Sequence, residues 1–185
     1  MCSDSEYGAM PNWDVSNITD MSNAFENRTT FNADISAWNV SSVTNMKRMF
    51  YNAGTFNADI SAWNVSSVSN MERMFYNADN FNRDIGSWDV SNVTNMTRMF
   101  MFASSFNQDL SFWCVTNLAS EPESFSVSSS LSESNKPVWG TCPTTPITND
   151  NFQTAINTCL STNPVDGMCS DSEYGAMPNW DVSNI

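Results

Sequence analysis

Four aspartates recur at one spacing. Asp34, Asp59, Asp84 and Asp109 stand 25 residues apart, each two positions after an asparagine: Asn32, Asn57, Asn82 and Asn107. Stacked copies of such a unit set a row of amides beside a row of carboxylates. Paired carboxylates act as acid and base in glycoside hydrolysis when their surroundings push the two pKa values apart. Four equivalent carboxylates in a row lack that difference. Two other roles fit: oxygen ligands for calcium, which would relieve the repulsion between neighbouring charges, or caps that accept hydrogen bonds from turn N–H groups. Capping is the simpler. Asp34, Asp59, Asp84 and Asp109 are thus the calcium candidates, and no other cofactor is expected. The chain has no histidine, which removes Ser-His-Asp and Cys-His nucleophiles and histidine-bearing zinc sites. No enzymatic activity is expected.

The cysteines are Cys2, Cys114, Cys142, Cys159 and Cys169, without the C-x-x-C spacing of metal sites. A Cys114–Cys142 bridge would staple the segment after residue 125 to the repeats before it. Cys159 and Cys169 lie across a loop containing Pro164 and Gly167, a span that a second disulfide closes. Asn-x-Ser/Thr sequons at Asn17, Asn27, Asn39, Asn64, Asn92 and Asn95 are candidate glycosylation sites. Asn39 and Asn64 are one 25-residue step apart, on a polar stripe from which sugar would point outward.

With 185 residues, 41% hydrophobic and 15% charged, the chain has enough apolar material for a core. Its formal charge of −13 repels nucleic acid and anionic membrane surfaces. No stretch reaches the roughly 18 apolar residues of a membrane helix, so membrane insertion is not expected. Cations, glycans and other proteins remain as partners. Residues 1–18 recur letter for letter as residues 168–185. This reads as one period of a longer tandem array. In that register Cys169 repeats Cys2, each period holds four cysteines, and Cys2 pairs with the preceding period's equivalent of Cys159.

A finer repeat positions the candidate residues. Trp13, Trp38, Trp63, Trp88 and Trp113 are spaced by 25 residues, as are columns of Val, Met and Phe. A fixed period of this length marks stacked coils that bury a core only together. Four coils occupy residues 13–37, 38–62, 63–87 and 88–112, and a fifth decays after Trp113. The strict period makes the Trp and Met columns core rather than a sugar platform or metal stripe. One hydroxyl per coil, from Thr19, Thr44, Ser69 and Thr94, is too thin a lattice for ice binding. Val43, Met46, Phe50 and Ala53 share one face of a helical turn. The segment 31–40 alternates as a strand, imperfectly, because Arg83 and Gln108 take the place of Ala33. The expectation is an α/β solenoid of short parallel strands and helical turns, with a pure β-helix as the alternative. Residues 1–142 form the solenoid and its C-terminal cap, and 143–149 a Pro/Thr linker. Residues 150–185 hold an amphipathic helix, through Phe152, Ala155, Ile156, Cys159 and Leu160, and the first coil of the next tandem domain.

The coil pattern Trp-(Asp/Asn)-Val-Ser-x-(Val/Ile)-(Thr/Ser)-(Asn/Asp)-Met, then Met-Phe-x-x-Ala-x-x-Phe-Asn-x-Asp-Ile, resembles the BspA-like leucine-rich repeats of microbial surface proteins, the surface-protein 26-residue repeat. The resemblance covers about residues 7–125. The first coil departs from it by lacking the second Met. The resemblance implies a right-handed, leucine-rich-repeat-like stack, an extracellular or cell-surface location, a role in adhesion or surface architecture, and no catalytic residues. Together with the tandem overlap it leads to a structural subunit of a glycosylated extracellular filament or cell-surface fibre, its copies joined head to tail. The alternative is a surface adhesin or binding module that recognises a protein or glycan through the coil wall.

Overall fold

In a computed structural model of the protein, residues 9–143 are described, together with Gln153, Thr154, Ile156 and Asn157. The chain divides into two units, Met1–Cys142 and Pro143–Ile185. In the second unit Gln153, Thr154, Ile156 and Asn157 have helical backbone, and Gln153 Nε2 donates to Asn157 Oδ1 at 3.2 Å. Most of the linker, the rest of the expected helix, Cys2, Cys159 and Cys169 lie outside the described residues.

The first unit stacks coils in a 25-residue register, and its construction corrects the expected fold class. Among the described residues of this unit, regular structure is limited to two 3₁₀ helices, Met10–Asn12 and Glu133–Asn135, and single parallel bridges Asp20–Asn45, Asn45–Asn70 and Asn70–Asn95. Neither the α/β solenoid nor the β-helix holds, since no sheet forms among these residues. The reason lies in where the backbone hydrogen bonds go.

Residues 46–53, the expected helical turn, split their donors. The N–H groups of Met46, Arg48, Phe50 and Asn52 reach across to the carbonyls of Asn70, Glu72, Met74 and Tyr76 at 2.8–2.9 Å. Those of Met49, Tyr51 and Ala53 turn back to Met46, Arg48 and Phe50 within their own coil. A helix needs every N–H for its own i→i−4 ladder, and half of these are committed to the neighbouring coil. The backbone reverses handedness twice per coil to allow this, with positive φ at Asn23 and Asn27, Arg48 and Asn52, Arg73 and Asn77, and Arg98 and Phe102. Asparagine tolerates that conformation better than most residues.

The expected strand fails for a parallel reason. The backbone N–H groups of Asn57, Asn82 and Asn107 donate to side-chain oxygens, Oδ1 of Asn32, Asn57 and Asn82, at 2.8, 3.1 and 3.0 Å. An amide ladder takes the place of a β ladder. The residues that broke the alternation belong to it: Arg83 Nε donates to the Asn57 carbonyl at 2.7 Å, and Gln108 Nε2 to that of Asn82 at 3.1 Å.

Within this frame the 25-residue columns are the core. Val43, Met46, Phe50 and Ala53 and their equivalents in the next two coils are buried. Phe25, Phe50, Phe75 and Phe100 stack with centroids 5.4–5.6 Å apart. Beside them run Phe31, Phe56, Phe81 and Phe106 at 5.7–5.9 Å. The indole N–H groups of Trp63, Trp88 and Trp113 donate to the carbonyls of Ile35, Ile60 and Ile85 at 3.0–3.2 Å, so each buried ring keeps its polar atom paired. The stack ends where Phe125 turns perpendicular to Phe100 and Leu131 follows the last phenylalanine of the second column. Trp139 closes edge-on against Phe125 at 5.0 Å.

Candidate binding surface

The four repeated aspartates cap turns. Asp34 Oδ1 accepts from the Ser36 N–H at 3.0 Å and from its hydroxyl at 2.7 Å, and Asp59 does the same with Ser61. Asp84 and Asp109 accept from the N–H groups of Gly86 and Ser111 at 2.9 Å. Hydrogen bonding to the charged form favours it. The Ser36 hydroxyl and then its N–H hold the Asp34 carboxyl below its ordinary 3.8, against the charge of Asp59 one coil away. The Ser61 N–H and hydroxyl do so for Asp59, and the Ser111 side chain and N–H for Asp109. Among the described residues no three acidic or cysteine side chains converge on a common point suited to a metal ion.

The sequon asparagines separate by what their amides do. Asn17, Asn27, Asn39, Asn64 and Asn92 are exposed, and Asn95 is half-buried. Asn39 and Asn64 use only Oδ1, accepting from Ser41 and Ser66. Their Nδ2 atoms, to which sugar attaches, are unengaged among the described residues. Asn92 Nδ2 instead donates to the Ser66 carbonyl at 2.8 Å, Asn27 Oδ1 accepts from Asn52 at 2.8 Å, and Asn95 Oδ1 accepts from the Thr97 N–H at 3.0 Å. Cys114 and Cys142 form a disulfide with Cα atoms 4.0 Å apart, beside the bond from the Val115 N–H to the Thr141 carbonyl at 2.8 Å.

Two surfaces have shapes that invite a partner. The first coil bounds hollows of about 720 and 940 Å3, the larger bordered by Met10, Phe25 and Phe31 and the smaller by Val15, Ile18 and Met21. The second surface was not read from the sequence. Arg48, Arg73 and Arg98 occupy equivalent places in three successive coils, and with Tyr51, Tyr76 and Met101 they line a hollow of about 320 Å3. Tyr51 and Tyr76 stack at 4.7 Å, and Phe102 meets Tyr76 edge-on at 5.4 Å. Arg48 Nη1 lies 3.4 Å from Glu26, and Arg73 Nη1 3.2 Å from Glu72, which also holds Lys47 at 2.8 Å. Arg98 pairs with Glu123. The signal was present in the sequence as a 25-residue spacing of arginines, in the alignment that exposed the aromatic columns.

The signature of the family described as "Mycoplasma protein of unknown function, DUF285" matches residues 2–113 and 66–162. No curated protein and no solved structure matches the chain.

Proposed function

The chain belongs to this DUF285 family, and from that premise we propose that it is a structural subunit of an extracellular tandem-repeat filament or cell-surface fibre, with no catalytic role. The observation that carries this is the recurrence of residues 1–18 as residues 168–185. The first copy leads into the coil that opens at Trp13, and the second brings Trp180 to the same place. In sequence, residues 168–185 thus repeat the lead into a coil. Coils bound in 25-residue register are an economical rod, because each added coil extends the core. The resemblance of the coil pattern to BspA-like surface repeats supports a surface location, and the exposed, unengaged Nδ2 atoms of Asn39 and Asn64 support sugar on the outer face.

The test is peptide mapping of native material, deglycosylated and unreduced. The expected result is a peptide that runs past Ile185 into Thr-Asp-Met, as residues 19–21 follow Ile18, with Cys2 and Cys159 in bridges. A C-terminal peptide ending at Ile185 would overturn the tandem reading. A second reading, a surface binding module, is favoured by the Arg48–Arg73–Arg98 wall.

A further inference from the structure

We propose that the Arg48–Arg73–Arg98 wall, with its Tyr51–Tyr76 stack, is a binding site for an acidic glycan: a linear saccharide carrying carboxylate or sulfate groups on successive sugars.

The first argument is backbone cost. The place that Arg48, Arg73 and Arg98 occupy has φ of 53–57°, a left-handed conformation that asparagine adopts more easily than arginine. The first coil has Asn23 there, with φ 58°. Three coils accept a long cation where a short amide suffices for the fold. A non-glycine residue held in this region is a reason to look for function.

The second is charge placement. The chain has seven basic residues against twenty acidic ones, and three of the seven, Arg48, Arg73 and Arg98, line this hollow, with Lys47 paired to Glu72 beside it. The glutamates facing them engage only part of their donors. A guanidinium has five N–H groups, and Arg48 and Arg73 each give one nitrogen to a glutamate, at 3.4 and 3.2 Å. Arg48 Nε is buried without a hydrogen-bond partner, and its guanidinium carbon lies 5.1 Å from the Tyr51 centroid. An orphaned buried donor calls for a ligand or an explanation.

The third is shape. A guanidinium fork matches a carboxylate or sulfate in two-pronged fashion, and the Tyr51–Tyr76 stack walls the hollow beside the guanidinium groups. One arginine per coil sets charges at the coil spacing, comparable to the length of one sugar ring. Nucleic acid fits less well. The net charge of −13 opposes every polyanion at long range, and nucleic acid, whose affinity comes largely from long-range phosphate attraction, loses more by it than an oligosaccharide held by close contacts. A short saccharide binds by contacts within the hollow.

This inference supplies the binding-module reading with a ligand class and does not depend on filament assembly, which the peptide map tests separately. The experiment is calorimetric titration of the full chain with a galacturonic acid tetrasaccharide, its methyl-esterified form, and a short single-stranded oligonucleotide. The expected result is binding of the acidic saccharide that weakens as salt rises, with neither of the others bound comparably. Arg73→Asn keeps the backbone preference seen at Asn23, so its fold should hold, by unchanged tryptophan emission. It should lower affinity at least tenfold, while Arg28→Ala, outside the wall, changes it less than twofold. Absence of binding to the wild type, equal binding of the esterified form, tighter binding of the oligonucleotide, or an unchanged affinity in a folded Arg73→Asn protein would each overturn the proposal.

Discussion

At the scale of single residues, asparagine replaces backbone in joining the coils. Asn82 accepts through Oδ1 from the Asn107 N–H at 3.0 Å and from Gln108 Nε2 at 2.8 Å, while its own N–H donates to Asn57. Asn82→Ala removes the acceptor and leaves its own donation intact. The expected loss is about 1–3 kcal/mol, because two bonds go, each with a net worth of about 0.5–1.5 kcal/mol, whereas Asn82→Asp keeps the acceptor and should cost less. Urea unfolding followed by tryptophan fluorescence measures both, and an alanine variant as stable as the wild type would show that the ladder is incidental. The pairing of Asn32 with Asp34, and the capping role of the aspartates, were legible because both residue types favour turns. The arginine wall was not read, since a 25-residue step among charged residues carries no hydrophobic signal and is submerged by the larger Trp, Met and Phe columns.

The element of this molecule is the coil, and its interior is what the sequence expressed most clearly. The Trp, Val, Met and Phe columns named by spacing alone are the buried columns, with Trp13 and Phe31 of the first coil half-buried. What the spacing could not separate was secondary structure. Val43, Met46, Phe50 and Ala53 fall on one side of a helix, but they fall on one side equally well in overlapping turns that send every second N–H to the next coil. Periodicity reports which residues face inward, not which carbonyl accepts each N–H. Interchangeability of coils follows from the shared register. Deleting residues 63–87 should leave a folded protein with a lower melting temperature, because coil 4 then meets coil 2 with every column aligned. Deleting residues 63–86 shifts the columns by one and should abolish cooperative melting. Circular dichroism melts distinguish them, and two deletions that behave alike would contradict a register-bound stack. The Cys114–Cys142 bridge, closing a separation of 28 residues, adds about 3–4 kcal/mol on the chain-entropy account at the end where the Phe columns stop.

On the scale of the whole molecule, the proposed function joins acidic chains into a one-dimensional assembly. No helix among the described residues is long and apolar enough to cross a membrane. Among the described residues, the first coil bounds open hollows while the other end is closed by Trp139 against Phe125, and unlike ends suit head-to-tail order. In the proposed fibre the stack axis would be the fibre axis, and the coil spacing its shortest repeat. The measurement that tests this most directly is X-ray diffraction from oriented native surface material. A fibre with its coils stacked along the axis gives a meridional reflection near 4.8 Å, the spacing of backbone segments hydrogen-bonded side by side. A reflection at that spacing lying on the equator, or only an unoriented ring from material that will not align, would contradict it.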